Sequence, residues 1–381
     1  MQTKTFAILG GGICGLSTAI ALRNIGIRAE VYESAPQFRP LGAGLLLAAN
    51  AMRSFQKIGI AEKIAARGRL LPRFFIFDDR GKVITAADAT AIGKKYGLHN
   101  FAIHRADLHE ALAAELDPAQ LHTGKRATGF SKNGARTVVQ FEDGSTIETD
   151  YLLAAEGIHS AIRRQLLPDA GPRYAGYTCW RAVVDAGPVS QDFASETWGA
   201  AGRFGIVPLA GNRIYWFAVV NAPQNDRAMR DFRVADLQRL FGKFHAPVSQ
   251  ILARTRDEDL IWNDIIDLQP LPRFAFGNIL LLGDAAHATT PNMGQGACQA
   301  IEDAAILADE LVKSQDPEAA FAAFEKRRLK RTRFIVENSW SLGKVAQWEK
   351  PLLVFLRNNL LRLVPERLNE RQLRAVLTTD F

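Results

Sequence analysis

Cysteine is scarce in this 381-residue chain, which contains only Cys14, Cys179 and Cys298. The three thiols form no CxxC pair and no metal-ligand spacing, and their odd number argues against a disulfide framework, so we expect a reducing compartment and no bound metal. Long apolar runs are also missing. The run at residues 6–9 is too short for a signal-peptide core, and none approaches the ~18 residues of a membrane span. These absences predict a cytoplasmic protein without an integral membrane segment.

The excess of basic residues is modest and mostly dispersed. The chain has 47 lysine and arginine residues against 40 acidic ones, a formal net charge of +7. Only the run at 326–333 is dense, so we expect no nucleic-acid partner. A basic run of this kind on a helix is typical of a solvated face. The alternative is a positive field that attracts dinucleotides or a carboxylated substrate.

Residues 4–32 have the pattern of a strand–helix–strand unit. The apolar run 4–9 predicts a buried parallel strand, the small-residue-rich stretch 16–25 predicts a helix ended by Gly26, and residues 29–32 predict a second strand. Similar strands return near residues 150 and 280, with β-rich stretches between them.

This organisation predicts an α/β protein in which an antiparallel β-sheet domain is inserted into a Rossmann-like nucleotide-binding domain. C-terminal helices follow. We assign residues 1–72, 99–170 and 271–340 to the nucleotide-binding domain, 73–98 and 171–270 to the β-rich substrate domain, and 341–381 to a helical tail. Hairpins are expected at 73–87 and 137–149, and helices at 106–116 and 294–312.

The turn after the first strand reads Gly10-x-Gly12-x-x-Gly15, with Cys14 inside it. In such loops the first glycine allows a tight turn, the second lets the backbone approach a pyrophosphate, and the third permits close helix–strand packing. The helix N-terminus offers N–H groups to the phosphates. Glu33 ends the second strand, where its carboxylate can accept hydrogen bonds from ribose hydroxyls. The unit predicts a dinucleotide such as FAD or NAD.

A second motif follows the predicted strand 279–282. Asp284 comes after a glycine at the carboxyl end of this strand, where ligands bind in open α/β sheets. Its carboxylate could bind a ribitol or ribose hydroxyl, or it could cap the next segment. Pro291-x-x-Gly294-x-Gly296 then opens a helix whose N-terminus would stabilise negative charge on a reduced flavin ring.

A third stretch, at residues 150–163, has a strand, a sharp turn at Glu156-Gly157 and a helix that Ser160 could cap. Together the three motifs resemble those of the group A flavoprotein monooxygenases, the para-hydroxybenzoate hydroxylase-like family, over nearly the whole chain. The resemblance implies that FAD is the cofactor and that Arg105, at a helix start, contacts it. One departure is Glu156, which stands where the family has an Asp associated with flavin and nicotinamide contacts.

Within the family, Arg203 and Tyr215 are similar to an Arg and a Tyr that face the substrate in urate and salicylate hydroxylase-like members. Ordinary packing in a sheet is the alternative for both. An Asp assists in urate hydroxylase-like members where this chain has Asn292, which argues against urate. The resemblance therefore places Arg203, Tyr215 and Asn292 in the catalytic pocket. The pocket wall would use apolar residues of the β-rich insert such as Phe204, Ile206, Trp216 and Phe217, and packing in the core is the alternative for each of them.

The resemblance implies that NADH or NADPH reduces FAD, that O2 adds at flavin C4a, and that the hydroperoxide transfers one oxygen atom to a small aromatic substrate. No catalytic base is evident, and we interpret His287 as a packed, hydrogen-bonded residue. One alternative is an epoxidase or N-hydroxylase of a lipophilic substrate such as a polyene or quinolone. Another is a flavin-binding module without turnover. The protein would be a monomer or homodimer, with its tail packed on the body or lying on a membrane surface.

Overall fold

The computed structural model describes residues 4–38, 43–88, 99–189, 191–365 and 374–379. A six-stranded sheet and a seven-stranded sheet dominate it, accompanied by two three-stranded sheets. Helices pack beside the sheets and follow them at the end of the chain. The α/β class predicted from the sequence is confirmed.

The secondary-structure elements are numbered here in chain order. The strands are β1 (Phe6–Leu9), β2 (Ala29–Tyr32), β3 (Gly44–Leu47), β4 (Arg69–Leu70), β5 (Arg73–Asp78), β6 (Val83–Asp88), β7 (Phe101–His104), β8 (Leu121–His122), β9 (Ala127–Asn133), β10 (Arg136–Phe141), β11 (Thr146–Thr149), β12 (Tyr151–Ala154), β13 (Pro172–Asp185), β14 (Ala194–Gly199), β15 (Gly202–Leu209), β16 (Arg213–Asn221), β17 (Ile261–Leu268), β18 (Ala275–Phe276) and β19 (Ile279–Leu281). The helices are α1 (Ile13–Asn24), α2 (Ala49–Lys57), α3 (Ala61–Ala65), α4 (Arg105–Ala113), α5 (Ala161–Leu166), α6 (Arg227–Arg230), α7 (Val234–Phe241), α8 (Val248–Leu252), α9 (Asp284–His287), α10 (Gly296–Lys313), α11 (Pro317–Ala346) and α12 (Pro351–Arg362).

The six-stranded sheet has the order β18-β19-β12-β1-β2-β8. β1 pairs in parallel with β12 and β2, and β12 pairs in parallel with β19. β1, β12 and β19 are buried along their whole length, as expected for parallel strands covered by helices such as α1 and α10. Their carboxyl ends meet at one edge of the sheet, which brings the three sequence motifs together.

The seven-stranded sheet has the order β17-β13-β16-β15-β14-β5-β6. The predicted hairpin β5–β6 joins it by parallel pairing of β5 with β14. Side chains alternate between the two faces of a strand. Phe204, Ile206 and Trp216 therefore pack into the core on the face that carries α7 and α8, so the prediction that they line the pocket is wrong. Phe217 faces the other way and does line a cavity.

Two features of the helices differ from the sequence-based expectation. The stretch 171–270 was expected to be β-rich, yet it also contains α6, α7 and α8. Leu237 and Phe241, one helical turn apart, are fully buried against the sheet, and this spacing is the signal for a helix. α11 also runs unbroken across residue 340, where the sequence analysis ended the first domain.

The basic run at 326–333 is a solvated helical face only in part, since Lys326, Lys330 and Arg333 are exposed. Arg328 is fully buried, and its Nε and NH1 groups donate to Asp303 and Glu302 of α10, each at 2.7 Å. Arg331 donates to both carboxylate oxygens of Glu302 at 2.6 Å. These arginines therefore pair with buried acids that join α10 to α11, and the interpretation of the run as a solvated face is wrong for them.

Asp303 also connects this ionic cluster to the chain after β19. Its Oδ2 accepts the backbone N–H of Gly283 at 2.8 Å and lies 2.7 Å from Nε2 of His287. The packed, hydrogen-bonded role predicted for His287 is confirmed. Burial opposes ionisation of both carboxyls. For Glu302 it is outweighed by Arg328 and Arg331, and for Asp303 by His287 and Arg328, so the pKa of both carboxyls is lowered.

Replacing Arg328 should strongly destabilise the fold. Arg328→Met should lower the free energy of unfolding by about 3–5 kcal/mol, because two buried carboxylates lose the one arginine that pairs with both of them. Lys330→Met, at an exposed position of the same helix, is the control and should change it by less than about 0.5 kcal/mol. Urea unfolding of the two variants and the wild type measures the difference.

The effect of Arg328→Met should depend on pH in one direction. Because the folded-state pKa values are lowered, the cluster stabilises the protein fully above the ordinary carboxyl values of 3.8 and 4.5 and loses this contribution as the pH falls below them. The difference in free energy of unfolding between wild type and variant should therefore become smaller as the pH is lowered. A difference that grows toward low pH would contradict this account of the cluster.

Candidate active site

Three glycines shape the loop after β1 in different ways. A Cβ on Gly10, whose φ is +97°, would lie 2.4 Å from the carbonyl oxygen of Ala155, and a Cβ on Gly15 would lie 1.9 Å from that of Gly10. Gly12 differs, since among the described residues no heavy atom lies within 4 Å of its Cβ position. It borders a cavity of about 350 Å³. The first and last glycines close the loop, and Gly12 leaves room for a ligand at the start of α1.

Glu33 follows β2, and its carboxylate is oriented by the neighbouring backbone. Oε2 accepts the N–H of Gly11 at 2.7 Å, and Oε1 accepts the N–H of Ala35 at 2.7 Å and the hydroxyl of Ser34 at 3.0 Å. A fixed carboxylate at the end of the second strand is the arrangement that binds ribose hydroxyls in dinucleotide sites.

Asp284 lies in the wall of the same cavity. The chain turns at Gly283, with φ of +55°, where a Cβ would lie 2.8 Å from Sγ of Cys14. Cys14 therefore packs beneath this turn, and burial raises the pKa of its thiol. Asp284 is the first residue of α9, after the N-cap Gly283, and its side chain is exposed. Its contact with a ligand stays a prediction.

α10 directs its N-terminus at the cavity. Pro291 begins a short helical turn, and Gly294 ends it with φ of +62° before α10 begins at Gly296. All three residues line the cavity. The first turn of a helix has N–H groups without partners in the helix and carries the positive end of the dipole. This end of α10 can therefore stabilise negative charge on a bound ligand.

Glu156 is placed behind the cavity wall, while its neighbours Ala155 and Gly157 line it. One oxygen of Glu156 accepts the backbone N–H of Ile162 at 3.1 Å, at the start of α5. Ser160 caps the same helix as predicted, and its Oγ accepts the backbone N–H of Arg163 at 2.9 Å. Burial raises the pKa of Glu156. In this structure the carboxylate binds a backbone N–H at the start of α5. Its contact with a cofactor stays a prediction.

Arg203 of β15 projects into the cavity from the seven-stranded sheet, and it is only 3% exposed. NH1 donates to Oε1 of Glu196 at 3.0 Å, NH2 to Oδ1 of Asn292 at 3.0 Å, and Nε to Oε1 of Gln347 at 2.6 Å. A guanidinium carries five N–H groups, so these bonds leave two for a ligand. Arg203 is thus a fixed, charge-balanced hydrogen-bond donor in the cavity wall.

Asn292 is occupied by contacts within the protein. Its amide nitrogen lies 2.8 Å from the hydroxyl of Tyr177 and 2.9 Å from both Oγ1 of Thr290 and the carbonyl oxygen of Ser339. Its amide oxygen accepts from Arg203. Asn292 therefore positions the guanidinium, and its neutral side chain adds no charge beside it.

Tyr215 of β16 lies in the cavity wall, as the resemblance implied. Its ring covers Gly44, where a Cβ would lie 2.5 Å from Cγ of the tyrosine. Burial raises the pKa of its hydroxyl, so Tyr215 stays protonated at neutral pH and can donate a hydrogen bond. A glycine in β3 is what gives this ring its place.

A second cavity, of about 240 Å³, opens beside the first. The two cavities share seven lining residues, which are Leu46, Glu196, Val207, Phe217, Pro291, Asn292 and Gly294. We call the second cavity the apolar arm, because away from these shared residues its lining is mostly apolar. It ends at the C-terminal segment 374–379. This apolar lining includes Leu71, Phe74, Ala87, Met293, Val376 and Leu377. Apolar walls of this kind bind a hydrocarbon group.

The structure brings most sequence-predicted site residues to one place, since Gly12, Asp284, Arg203, Tyr215 and Asn292 line the same cavity. Sequence reasoning missed four others. Glu196 stands in a strand without any motif around it. Gln347, Val376 and Leu377 belong to the segment assigned to a tail. Their contacts are long-range, and no local spacing in the sequence points to them.

These residues fit an FAD molecule. The open space at Gly12 and the start of α1 suit the pyrophosphate, and Glu33 and Asp284 offer carboxylates to ribose and ribitol hydroxyls. Arg105 is the first residue of α4, and its exposed side chain lines the cavity. The N-terminus of α10 lies next to the substrate side, where a flavin ring would need stabilisation of negative charge.

Comparison with known proteins defines the class. Residues 2–339 match the FAD binding domain family, so the chain belongs to this family. The crystal structure of Klebsiella pneumoniae HpxO complexed with FAD and uric acid is 30% identical and has a TM-score of 0.91, over 99% of this chain and 98% of that chain. FAD as cofactor is thereby supported.

Characterised relatives give the kind of enzyme. The aurachin C monooxygenase/isomerase of Stigmatella aurantiaca is 37% identical over 379 residues, which is 99% of each chain. The 2-heptyl-3-hydroxy-4(1H)-quinolone synthase of Pseudomonas aeruginosa is 31% identical over 96% of each chain. The FAD-dependent urate hydroxylase of Klebsiella pneumoniae is 32% identical over 86% of this chain and 87% of that protein. The chain is an FAD-dependent monooxygenase, and the alternative of a flavin-binding module without turnover is not supported.

Gly12→Val should give a folded protein without flavin. Its side chain would enter open space, so the apoprotein should unfold at an unchanged temperature, whereas the pyrophosphate would lose its place. Gly171→Val, at another glycine with open space around it, is the control and should purify yellow. Absorbance at the flavin band, divided by protein concentration, measures the difference. A Gly12→Val protein with full flavin content would contradict the site assignment.

Proposed function

We propose that this monooxygenase inserts oxygen into a heteroaromatic ring that carries an alkyl chain, as in the 2-alkyl-4-quinolones, with NADH or NADPH as electron donor. The carrying observation is the two-part cavity, polar around Arg203 and apolar toward Val376 and Leu377. One full-length relative is named for a product with a heptyl group and a hydroxyl on a quinolone ring, which supports the proposal.

The ring would bind against the ion pair of Arg203 and Glu196, whose NH1 and Oε1 atoms lie 3.0 Å apart. Glu196 accepts from the ring N–H, and Arg203 stays paired with Glu196 beside the ring. In a 2-alkyl-4-quinolone the N–H is next to the carbon that bears the chain. Glu196 stands at the junction of the two cavities, so this orientation sends the chain into the apolar arm.

The same contacts favour oxygenation at the carbon between the carbonyl and the alkyl position. As Glu196 draws the proton from the ring nitrogen, electron density moves to that carbon, and the charge of Arg203 beside Glu196 stabilises the negative charge that the ring gains. FAD, when bound, supplies the oxygen-transfer chemistry. One oxygen atom of O2 enters the ring and the other leaves as water, with two electrons and a proton from the nicotinamide and one proton from solvent. The apolar walls keep bulk water away from the reacting atoms.

Urate fits this cavity less well. Asn292 supplies no carboxylate, and its amide is already engaged by three protein acceptors. Urate also has no hydrocarbon group to fill the apolar arm of about 240 Å³. The cavity therefore favours a substrate with an apolar chain.

Anaerobic flavin reduction tests the proposal. With 2-heptyl-4-quinolone bound, NADH or NADPH should reduce the flavin at least about tenfold faster than without it, because substrate binding completes the site. Each methylene removed from the chain should weaken ligand binding about fourfold, from roughly 0.8 kcal/mol of lost burial. Urate serves as the comparison ligand. Acceleration by urate and by none of the quinolones would refute the substrate class.

Glu196→Gln tests the role of the carboxylate. The amide keeps an acceptor for Arg203 but cannot take a proton, so kcat should fall about 100-fold or more, with FAD content unchanged. Glu196→Asp, which keeps the charge at a shorter reach, should retain more activity than the glutamine variant. Steady-state kinetics with 2-heptyl-4-quinolone measures both. A glutamine variant as active as wild type would show that Glu196 only pairs with Arg203.

A further inference from the structure

α12 buries polar side chains and exposes apolar ones. Arg357 and Asn358 are its buried residues, although helices normally bury their apolar side. Six large apolar side chains on α12 and just after it are between 37% and 78% exposed. They are Leu352, Leu353, Phe355, Leu356, Leu360 and Leu363.

Polar contacts fix this orientation. NH1 of Arg357 donates to the carbonyl oxygen of Ala346 at 2.7 Å and to that of Val345 at 3.3 Å, and so satisfies the C-terminal end of α11. Its guanidinium also lies 5.0 Å from the ring centre of Trp198. Leu352, Leu356 and Leu360, each a helical turn apart, form a row along α12 and are 44% to 69% exposed. We call this row the leucine face.

The charge that favours an anionic surface is that of the whole chain, which is +7. Residues 350–365 contain no acidic side chain, and Glu349 is exposed directly before them. Lys350 is exposed directly before α12. Arg362 lies at its end and donates to the backbone of β6 and to Asp78. An exposed apolar helix face on a chain of net positive charge complements an anionic lipid surface.

The helix lies beside the apolar cavity. Alternate residues of β5 share one face of the sheet. Phe74 lines the cavity, Ile76 packs in the small cluster that includes Leu361 of α12, and Asp78 pairs with Arg362 of α12. The apolar arm and the leucine face are thus neighbours along a single strand.

We propose that α12 lies in the surface of an anionic phospholipid bilayer, with its leucine face in the boundary between headgroups and acyl chains. Within the part of the chain that the structure describes, no helix is long and apolar enough to cross a membrane. Contact at the surface is what this geometry supports. The use of a cavity beside α12 rests on the proposed function. If the substrate carries an alkyl chain and dissolves in the bilayer, it would be close to the apolar arm.

Vesicle flotation without substrate tests the surface directly and is independent of turnover. The FAD-loaded enzyme should float with vesicles of phosphatidylcholine containing phosphatidylglycerol, and much less with phosphatidylcholine alone. The triple variant Leu352→Gln, Leu356→Gln, Leu360→Gln should lower the partition coefficient at least about tenfold, because it removes the inserting side chains. Val312→Gln is the control, since Val312 is 68% exposed at the end of another helix.

The outcomes separate the explanations. Retained flavin content and retained oxidation of a detergent-free, short-chain quinolone would show that the triple variant is folded, so lost flotation would support the proposal. Equal flotation of wild type and triple variant would overturn it, as would binding that ignores the lipid charge. Light scattering that finds a wild-type dimer, absent in the triple variant, together with no flotation, would assign the face to a second copy instead.

Discussion

The buried pairing of Arg328 with Glu302 and Asp303 is the contact on which the active site depends. Asp303 holds the turn after β19 through the N–H of Gly283, and Glu302 binds Arg331. Arg331 in turn donates to the carbonyl oxygen of Val376, in the segment that ends the apolar cavity, at 2.9 Å. Removing charged side chains from water costs free energy unless each charge is paired inside the protein. This arrangement therefore ties the cofactor turn, two long helices and the end of the substrate cavity into a single geometry.

The cavity combines two electrostatic environments that the fold keeps apart. On the cofactor side, the N-termini of α1 and α10 present N–H groups and positive dipole ends to phosphates and a flavin ring. On the sheet side, the charge of Arg203 is balanced by Glu196, so the wall is polar without being strongly charged. A neutral heteroaromatic ring can bind there without a large loss of solvation on either side. On the proposed function, the apolar arm would distinguish substrates by the length of their hydrocarbon chain.

The sequence predicted the cofactor site better than the substrate site, for a physical reason. Gly10, Gly12 and Gly15 are contiguous, and their roles follow from local backbone geometry, so a short pattern carries the information. Glu196 and Gln347 come to Arg203 from distant parts of the chain, and no period or spacing marks them. Arg328 was misjudged because a basic run on a helix usually faces water, while its acidic partners lie on another helix. The wall prediction for Phe204 and Trp216 failed because the pattern gives the alternation of a strand but not which face meets the cavity. The domain limits and the individual cofactor contacts remain predictions.

The central claim is that this FAD-dependent monooxygenase places an oxygen atom from O2 on the ring of an alkyl-bearing heteroaromatic substrate. The most direct measurement is mass spectrometry of the product formed from 2-heptyl-4-quinolone, FAD-loaded enzyme and reduced nicotinamide under isotopically labelled dioxygen. The account predicts one labelled oxygen atom, located by fragmentation on the ring carbon next to the alkyl position. Nicotinamide oxidation that yields only hydrogen peroxide, or label found on the alkyl chain, would contradict it.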